Sequence, residues 1–155
     1  FHYGFFHADQ HPGNLWIKPD GSRIYLDFGI MGNITKNDRK TLLKILFFLY
    51  ANKHDKVIEV LQETNWISTD VSSNNLIDDL TSISKMLVNK KQKDLSLGNI
   101  FKRFIEIIDK YDSKIPYKFT LLAKTIIVTE GIVKQLYPNL DIEKEAIPIL
   151  IKYFK

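Results

Sequence analysis

The sequence predicts a mainly α-helical fold with one short β-hairpin near its N-terminal end. Three observations carry this expectation. The turn signal "PDGS", residues 19–22, separates two short runs rich in Ile, Trp and Tyr. From residue 35 onward, apolar residues recur at helical spacing. No Gly/Ser linker and no fixed-period repeat divides the 155 residues, so one structural unit is expected.

The hairpin comes first. "LWIK" (15–18) and "RIYL" (23–26) are its strands. Pro19 sets φ in the turn and Gly21 tolerates a positive φ. Asn14 stands just before the first strand and Asp27 just after the second, so the hairpin should return the two to one place. Thr35-x-x-Asp38 then reads as a helix start. The helix over 36–52 carries a wide apolar face of Leu42, Leu43, Ile45, Leu46, Phe48 and Leu49. A shorter helix covers 54–64. Leu76, Leu80, Ile83 and Leu87 mark the next. Leu97, Ile100, Phe101, Phe104, Ile105 and Ile108 form the cleanest stripe in the chain. Pro116 holds Ile115 extended, and a long helix is expected from Tyr117 to Leu136, stopping before Pro138. A last helix is expected over 142–154, kinked at Pro148.

Composition excludes several classes. The chain is 45% hydrophobic and 26% charged, ordinary for a globular protein. It has no cysteine, which removes disulfides, thiolate zinc sites and cysteine nucleophiles and favours a cytoplasmic setting. The net charge of +4 is mild, and its densest run, "KKQKD" at 90–94, reads as a solvated loop. No arginine cluster interleaves with aromatics, so no nucleic-acid partner is expected. The longest apolar stretch, residues 119–136, is cut by Lys124, Glu130 and Lys134. It falls short of the roughly 20 apolar residues of a membrane span.

The chemistry concentrates in "FFHADQHPGNLWIKPDGSRIYLDFG", residues 5–29. Asp9, Asn14 and Asp27 supply hard oxygen donors of the kind Mg²⁺ takes together with phosphate and water. The order is His-x-Asp-x-x-x-x-Asn, a strand pair, then Asp-Phe-Gly. This resembles the catalytic segment of protein-kinase-like phosphotransferases, H-R-D-x-x-x-x-N followed by D-F-G. The resemblance implies Asp9 as the catalytic aspartate at the acceptor hydroxyl, and Asn14 and Asp27 as metal ligands.

The variant "GFFHADQHPGN" with "YLDFGIMG" is similar to the ABC1/UbiB family of atypical kinase-like proteins, associated with ubiquinone biosynthesis. Gln10 stands where that family's loop usually has proline. The likeness continues in "NKHDKVIEVLQETNWIS" and in "IPYKFTLLAKTIIVTEGIVKQLYPNLDI", through Leu122, Ala123, Lys124, Glu130, Gly131, Leu136 and Pro138. Residues 65–114 match only loosely. The family's K-x-G-Q motif, Ala-rich nucleotide loop and lysine–glutamate pair are not in this sequence. The resemblance therefore implies the C-terminal lobe of a protein-kinase-like fold with the N-terminal lobe missing. Residues 1–34 would form the catalytic loop, hairpin and Asp-Phe-Gly segment, and residues 35–155 a helical subdomain.

By the same resemblance the cofactors are Mg²⁺ and ATP, at a site incomplete in this chain, with no nucleotide-binding residues assigned. The function implied is phosphoryl transfer or ATP hydrolysis supporting ubiquinone biosynthesis. A separate N-terminal lobe or quinone-biosynthesis proteins are the expected partners, with peripheral membrane association. The competing function is a catalytically inactive C-lobe remnant or a protein-interaction module.

Plainer readings stand beside each site residue. Asp9 can cap local backbone N–H groups. Asn14 can open the hairpin, and Asp27 can close a strand-end Asx turn. Gly29 is also an ordinary loop glycine, and Gly13 supports the loop. His7-x-Asp9-x-His11 alternates metal-ligand types, but no fourth ligand accompanies them. His7 is instead expected to hold the loop backbone, and His11 to lie near substrate or nucleotide. Phe28 is expected in the helical core behind the metal. Phe5, Phe6, Trp16 and Tyr25 are expected as core that fixes the loop. Lys124 and Glu130, six apart, do not face each other on a helix and read as surface. Gly131 is expected to allow close helix packing.

Overall fold

The computed structural model describes residues 3–71, 73–88, 96–140 and 144–145. Its chain order is β1 (Phe5–His7), a 3₁₀ turn (Pro12–Asn14), β2 (Leu15–Ile17), β3 (Arg23–Tyr25), β4 (Met31–Asn33) and five helices. These are α1 (Lys36–Tyr50), α2 (His54–Glu63), α3 (Ser73–Val88), α4 (Leu97–Asp109) and α5 (Tyr117–Leu136). The fold is mainly helical, as the sequence predicts, and carries two short antiparallel strand pairs.

The hairpin forms where the turn signal places it. Leu15 pairs with Tyr25, Trp16 with Ile24 and Ile17 with Arg23. Gly21 takes φ +80°, and its N–H donates to Lys18 O at 2.9 Å. The Asp20 carboxylate accepts from the Ser22 backbone and hydroxyl at 2.9 and 2.7 Å. A second strand pair was not expected. β1 and β4 run antiparallel outside the hairpin, with Phe5 opposite Asn33, Phe6 opposite Gly32 and His7 opposite Met31. A side chain at position 32 would collide with the Phe6 ring, so glycine there lets the ring lie across the strand.

Thr35 and Asp38 cap α1 reciprocally. The helix ends at Tyr50, two residues before the expected boundary, and Asn52 takes φ +54°. The core lies among the helices. Leu61, Leu76, Leu80, Ile83, Ile107 and Ile108 are fully buried there. Phe119, at the start of α5, is also fully buried and meets the Trp66 ring at 4.6 Å. A polar relay crosses the junction of α1, α2 and α3. Ser84 donates to Leu49 O at 2.7 Å, so its oxygen accepts from His54 Nε2 at 2.8 Å.

Two expectations on α5 are corrected. Glu130 is buried, not surface. Its carboxylate accepts from Ser96 Oγ and from Gly98 N, the latter at 3.2 Å, and so caps the N-terminus of α4. Spacing along α5 could not show this, because the partners lie on another helix. Gly131 has open space where a Cβ would stand; Gly98 is the close-packing glycine, against Ile127. The last expected helix lies outside the described residues, apart from Lys144 and Glu145, which are helical. The 90–94 charge run also lies outside them. Among the described residues, no helix is long and apolar enough to cross a membrane.

Candidate functional site

The nested strand pairs build the site. β1 leads into the loop holding Asp9, the hairpin carries the chain out and back, and β4 closes the circuit. Ala8 N donates to Ile30 O at 3.0 Å, extending the outer pair to the loop's edge. Leu26 N donates to Asn14 O at 2.9 Å, extending the inner pair past its last rung. Asp27 thus follows a residue bonded directly to Asn14, and the hairpin brings the two together as expected.

His7 holds the loop backbone. It is buried, its Nε2 lies 2.9 Å from Leu26 O, and its Nδ1 accepts from Asp9 N at 3.2 Å. A carbonyl only accepts and an amide N–H only donates, so both bonds require the neutral ring with its proton on Nε2. Both ring nitrogens are thereby engaged, which removes His7 from any His-Asp-His metal centre. Among the described residues, no group of three or more His, Asp or Glu side chains could hold a metal ion.

Asn14 is the second fastening. Its Nδ2 donates to Asp9 O at 3.1 Å. Because that carbonyl can only accept, the amide nitrogen faces it and Oδ1 is left over. The side chain is buried, and among the described residues nothing donates to Oδ1. A buried amide oxygen without a donor suits a hard cation. His11 caps the short 3₁₀ turn, its Nδ1 accepting from Gly13 N at 3.1 Å. A Cβ at Gly13 would press on that ring.

Asp27 makes the Asx turn that the plainer reading describes. It takes φ +52°, and its Oδ1 accepts from Gly29 N at 3.1 Å. Its Oδ2 has no protein donor among the described residues, so the turn leaves one carboxylate oxygen open. The Asn14 amide oxygen and this carboxylate are a donor set that fits Mg²⁺.

Phe28 corrects the sequence reading. It follows the Asp27 turn outward and is 62% exposed, with its ring 5.7 Å from His7. Phe5, Trp16 and Tyr25 are also exposed. A two-stranded pair has two faces, and the helices cover at most one of them among the described residues. Phe6 alone of the four reaches the helical core. The loop is therefore pre-organised by hydrogen bonds from His7 and Asn14 and by buried Ala8, rather than by an aromatic core.

One residue at the site had no legible role. Lys124 Nζ, on α5, lies 2.7 Å from Asp9 Oδ1. This hydrogen bond holds the Asp9 carboxyl below its ordinary range against an opposing push from burial, and the positive charge of Lys124 adds to the lowering. The only sequence signal was its place in the "LLAKT" segment of the family resemblance. Neighbouring Thr125 donates to Leu121 O at 2.9 Å and lies 3.4 Å from His7 O.

Comparison with known proteins follows the same division. Residues 1–61 match the ABC1 atypical kinase-like domain, and residues 70–141 match the UbiB helical domain. The second match covers most of the region where the sequence resembles the family only loosely. The chain is 29% identical to "Probable protein kinase UbiB" of Azotobacter vinelandii, over all of this chain and 30% of that protein. Proteins of the same name from Pseudomonas putida and Pseudomonas fluorescens are 29% and 28% identical, over the same shares. The chain thus spans about a third of the length of these relatives. No solved structure matches.

Proposed function

The chain belongs to the ABC1/UbiB family of atypical kinase-like proteins, and on that premise we propose that residues 5–29 are the base-and-metal half of a Mg²⁺–ATP-dependent phosphotransfer or ATP-hydrolysing site. The observation that carries this is the Asn14-to-Asp9 bond, which ties the metal-side amide to the backbone of the catalytic aspartate. On this reading the site serves ubiquinone biosynthesis at a membrane surface, with quinone-biosynthesis proteins as partners. The nucleotide-gripping half comes from residues outside these 155, in the same polypeptide or a separate one.

Asp9 receives the proton of the attacking hydroxyl on Oδ2, the oxygen that Lys124 leaves unengaged. Asn14 Oδ1 and the Asp27 carboxylate would hold the metal. When bound, Mg²⁺ supplies charge neutralisation at the phosphate oxygens. His7 and Asn14 fix the loop before substrate arrives, which is the main contribution a protein makes to phosphoryl transfer. Gly29 and Gly13 let the two turns close against Asp27 and His11.

The test is Mg²⁺-dependent ATP turnover by the complete natural polypeptide that contains these residues. Asp9→Asn and Asp27→Asn should each lower turnover by about a hundredfold or more. Full turnover in Asp27→Asn would overturn the metal assignment. A complete polypeptide with no Mg²⁺-dependent turnover would instead support the non-catalytic reading.

A further inference from the structure

We propose that Lys124 is the positioning residue for Asp9, so that the helical region contributes a functional group to the catalytic loop. The inference rests on the phosphotransfer reading of that loop.

The His7 and Asn14 bonds fasten the loop at its backbone: Asp9 N to His7, Asp9 O to Asn14. Neither touches the Asp9 carboxylate, whose side-chain torsions they leave unset. Among the described residues, Lys124 is the group that bonds to it, at 2.7 Å across 115 positions of sequence. Engaging Oδ1 orients the carboxylate and leaves Oδ2 to take a proton.

Stability does not explain the pair. Lys124 and Asp9 side chains are 54% and 31% exposed, and ion pairs in such settings contribute little. A neighbouring cation also makes a carboxylate a weaker base. The gain is geometric: phosphoryl transfer depends chiefly on placement and charge, and misplacement is costly.

The platform is rigid. α5 is tied to α4 by the buried Glu130 cap and to α1 by Lys118, whose Nζ lies 2.6 Å from Asp38 Oδ2. Lys124 lies between these two anchors on the same helix. A side chain projecting from such an element holds its target better than one from another loop.

The experiment compares Lys124→Ala, Lys124→Arg and Asp9→Asn in the complete natural polypeptide, reading Mg²⁺–ATP turnover and amide hydrogen exchange. Lys124→Ala should lower kcat by about 10- to 100-fold while the KM for ATP shifts less than about twofold. Exchange should stay unchanged over 8–14, where His7 and Asn14 still hold the backbone, and over 117–136. Lys124→Arg should recover most of kcat. Wild-type kcat in Lys124→Ala, beside a dead Asp9→Asn, overturns the positioning role alone. A raised KM with unchanged kcat also overturns it, because Lys124 would then be a substrate contact. Faster exchange along α5 without rescue by arginine overturns it in favour of a structural role. If turnover is undetectable, an unmoved Asp9 carboxyl carbon resonance in Lys124→Ala overturns it, because the contact to Oδ1 would then be absent in solution. Full turnover in Asp9→Asn sinks the phosphotransfer reading itself, and this inference with it.

Discussion

Lys118 Nζ and Asp38 Oδ2 lie 2.6 Å apart, which fastens the first turn of α5 to the first turn of α1. The same Asp38 oxygen accepts from Thr35 N at 2.7 Å and Thr35 Oγ1 at 2.8 Å. One carboxylate thus closes a helix cap and joins two helices. Burial pushes the Asp38 carboxyl up, but bonds from Lys118 and Thr35 together outweigh it and hold the group below its ordinary range. A depressed folded value means the contribution is complete above the ordinary aspartate range and fades as pH falls through the folded value. Asp38→Ala should therefore lower stability by about 1–2 kcal/mol at neutral pH. Urea unfolding across pH should show the gap narrowing as pH falls below the ordinary aspartate range. A gap that stays constant into acid would contradict the ion-pair account.

Glu130 should matter for folding out of proportion to its surface-like appearance in the sequence. Removing its carboxylate leaves the Ser96 hydroxyl and the Gly98 N–H without their buried acceptor. Glu130→Ala should cost about 2–3 kcal/mol, read as a lower Tm. Glu130→Gln keeps an acceptor oxygen and should lose less. Equal losses in the two variants would mean that the cap is not the origin of the effect.

Gly98, at the α4–α5 contact, and Gly131, exposed on α5, should respond in opposite directions. A Cβ at Gly98 would stand 2.5 Å from Ile127 Cγ1 and 2.8 Å from its backbone nitrogen. Gly98→Ala must push two helices apart, at a cost of about 1–3 kcal/mol. A Cβ at Gly131 meets nothing within 4 Å. Gly131→Ala should stabilise by about 0.5–1 kcal/mol, through helix propensity alone. Denaturation midpoints of the two variants, side by side, test the sign.

His7→Ala should loosen the loop of residues 8–14 and the Asp-Phe-Gly segment together, because the ring bonds to Asp9 N on one side and Leu26 O on the other. A stability loss of about 1–3 kcal/mol is expected. Hydrogen exchange should rise at residues 8–14 and 26–29 alike. A rise confined to one segment would show that the ring does not couple them.

The 155 residues alone should bind Mg²⁺–ATP only weakly. The family's K-x-G-Q motif, Ala-rich nucleotide loop and phosphate-positioning lysine are not in this sequence. Half of a site that works by positioning should hold little nucleotide. Calorimetry giving a Kd on the order of micromolar or tighter would contradict this.

What could be read from the sequence was local. The hairpin was legible because turn chemistry and strand composition sit within twelve residues of each other, Leu15 to Leu26. The Thr35 cap and the stripes of α3 and α4 were legible because helical period is a near-neighbour property. The β1–β4 pair was not, since "FFH" and "MGN" are three-residue strands too short to show alternation. Lys124 and Glu130 were illegible for a different reason. Their partners, Asp9 and Ser96, lie 115 and 34 positions away, where no spacing rule reaches. The exposure of Phe5, Trp16, Tyr25 and Phe28 was not legible because residue type reports hydrophobicity rather than burial, and a small sheet leaves one face uncovered.

The outer strand pair has a consequence for how the site tolerates change. Its last rung joins His7 to Met31, so the intervening stretch leaves and re-enters the fold at nearly one point. It behaves as a cassette clasped at its base. The far tip, at Gly21, has open space around it. Lengthening the chain there alters neither the clasp nor the inner rung at Asn14 and Leu26. Insertions beside that tip should therefore leave the aspartates in place, while position 21 itself keeps its glycine for the φ of +80°.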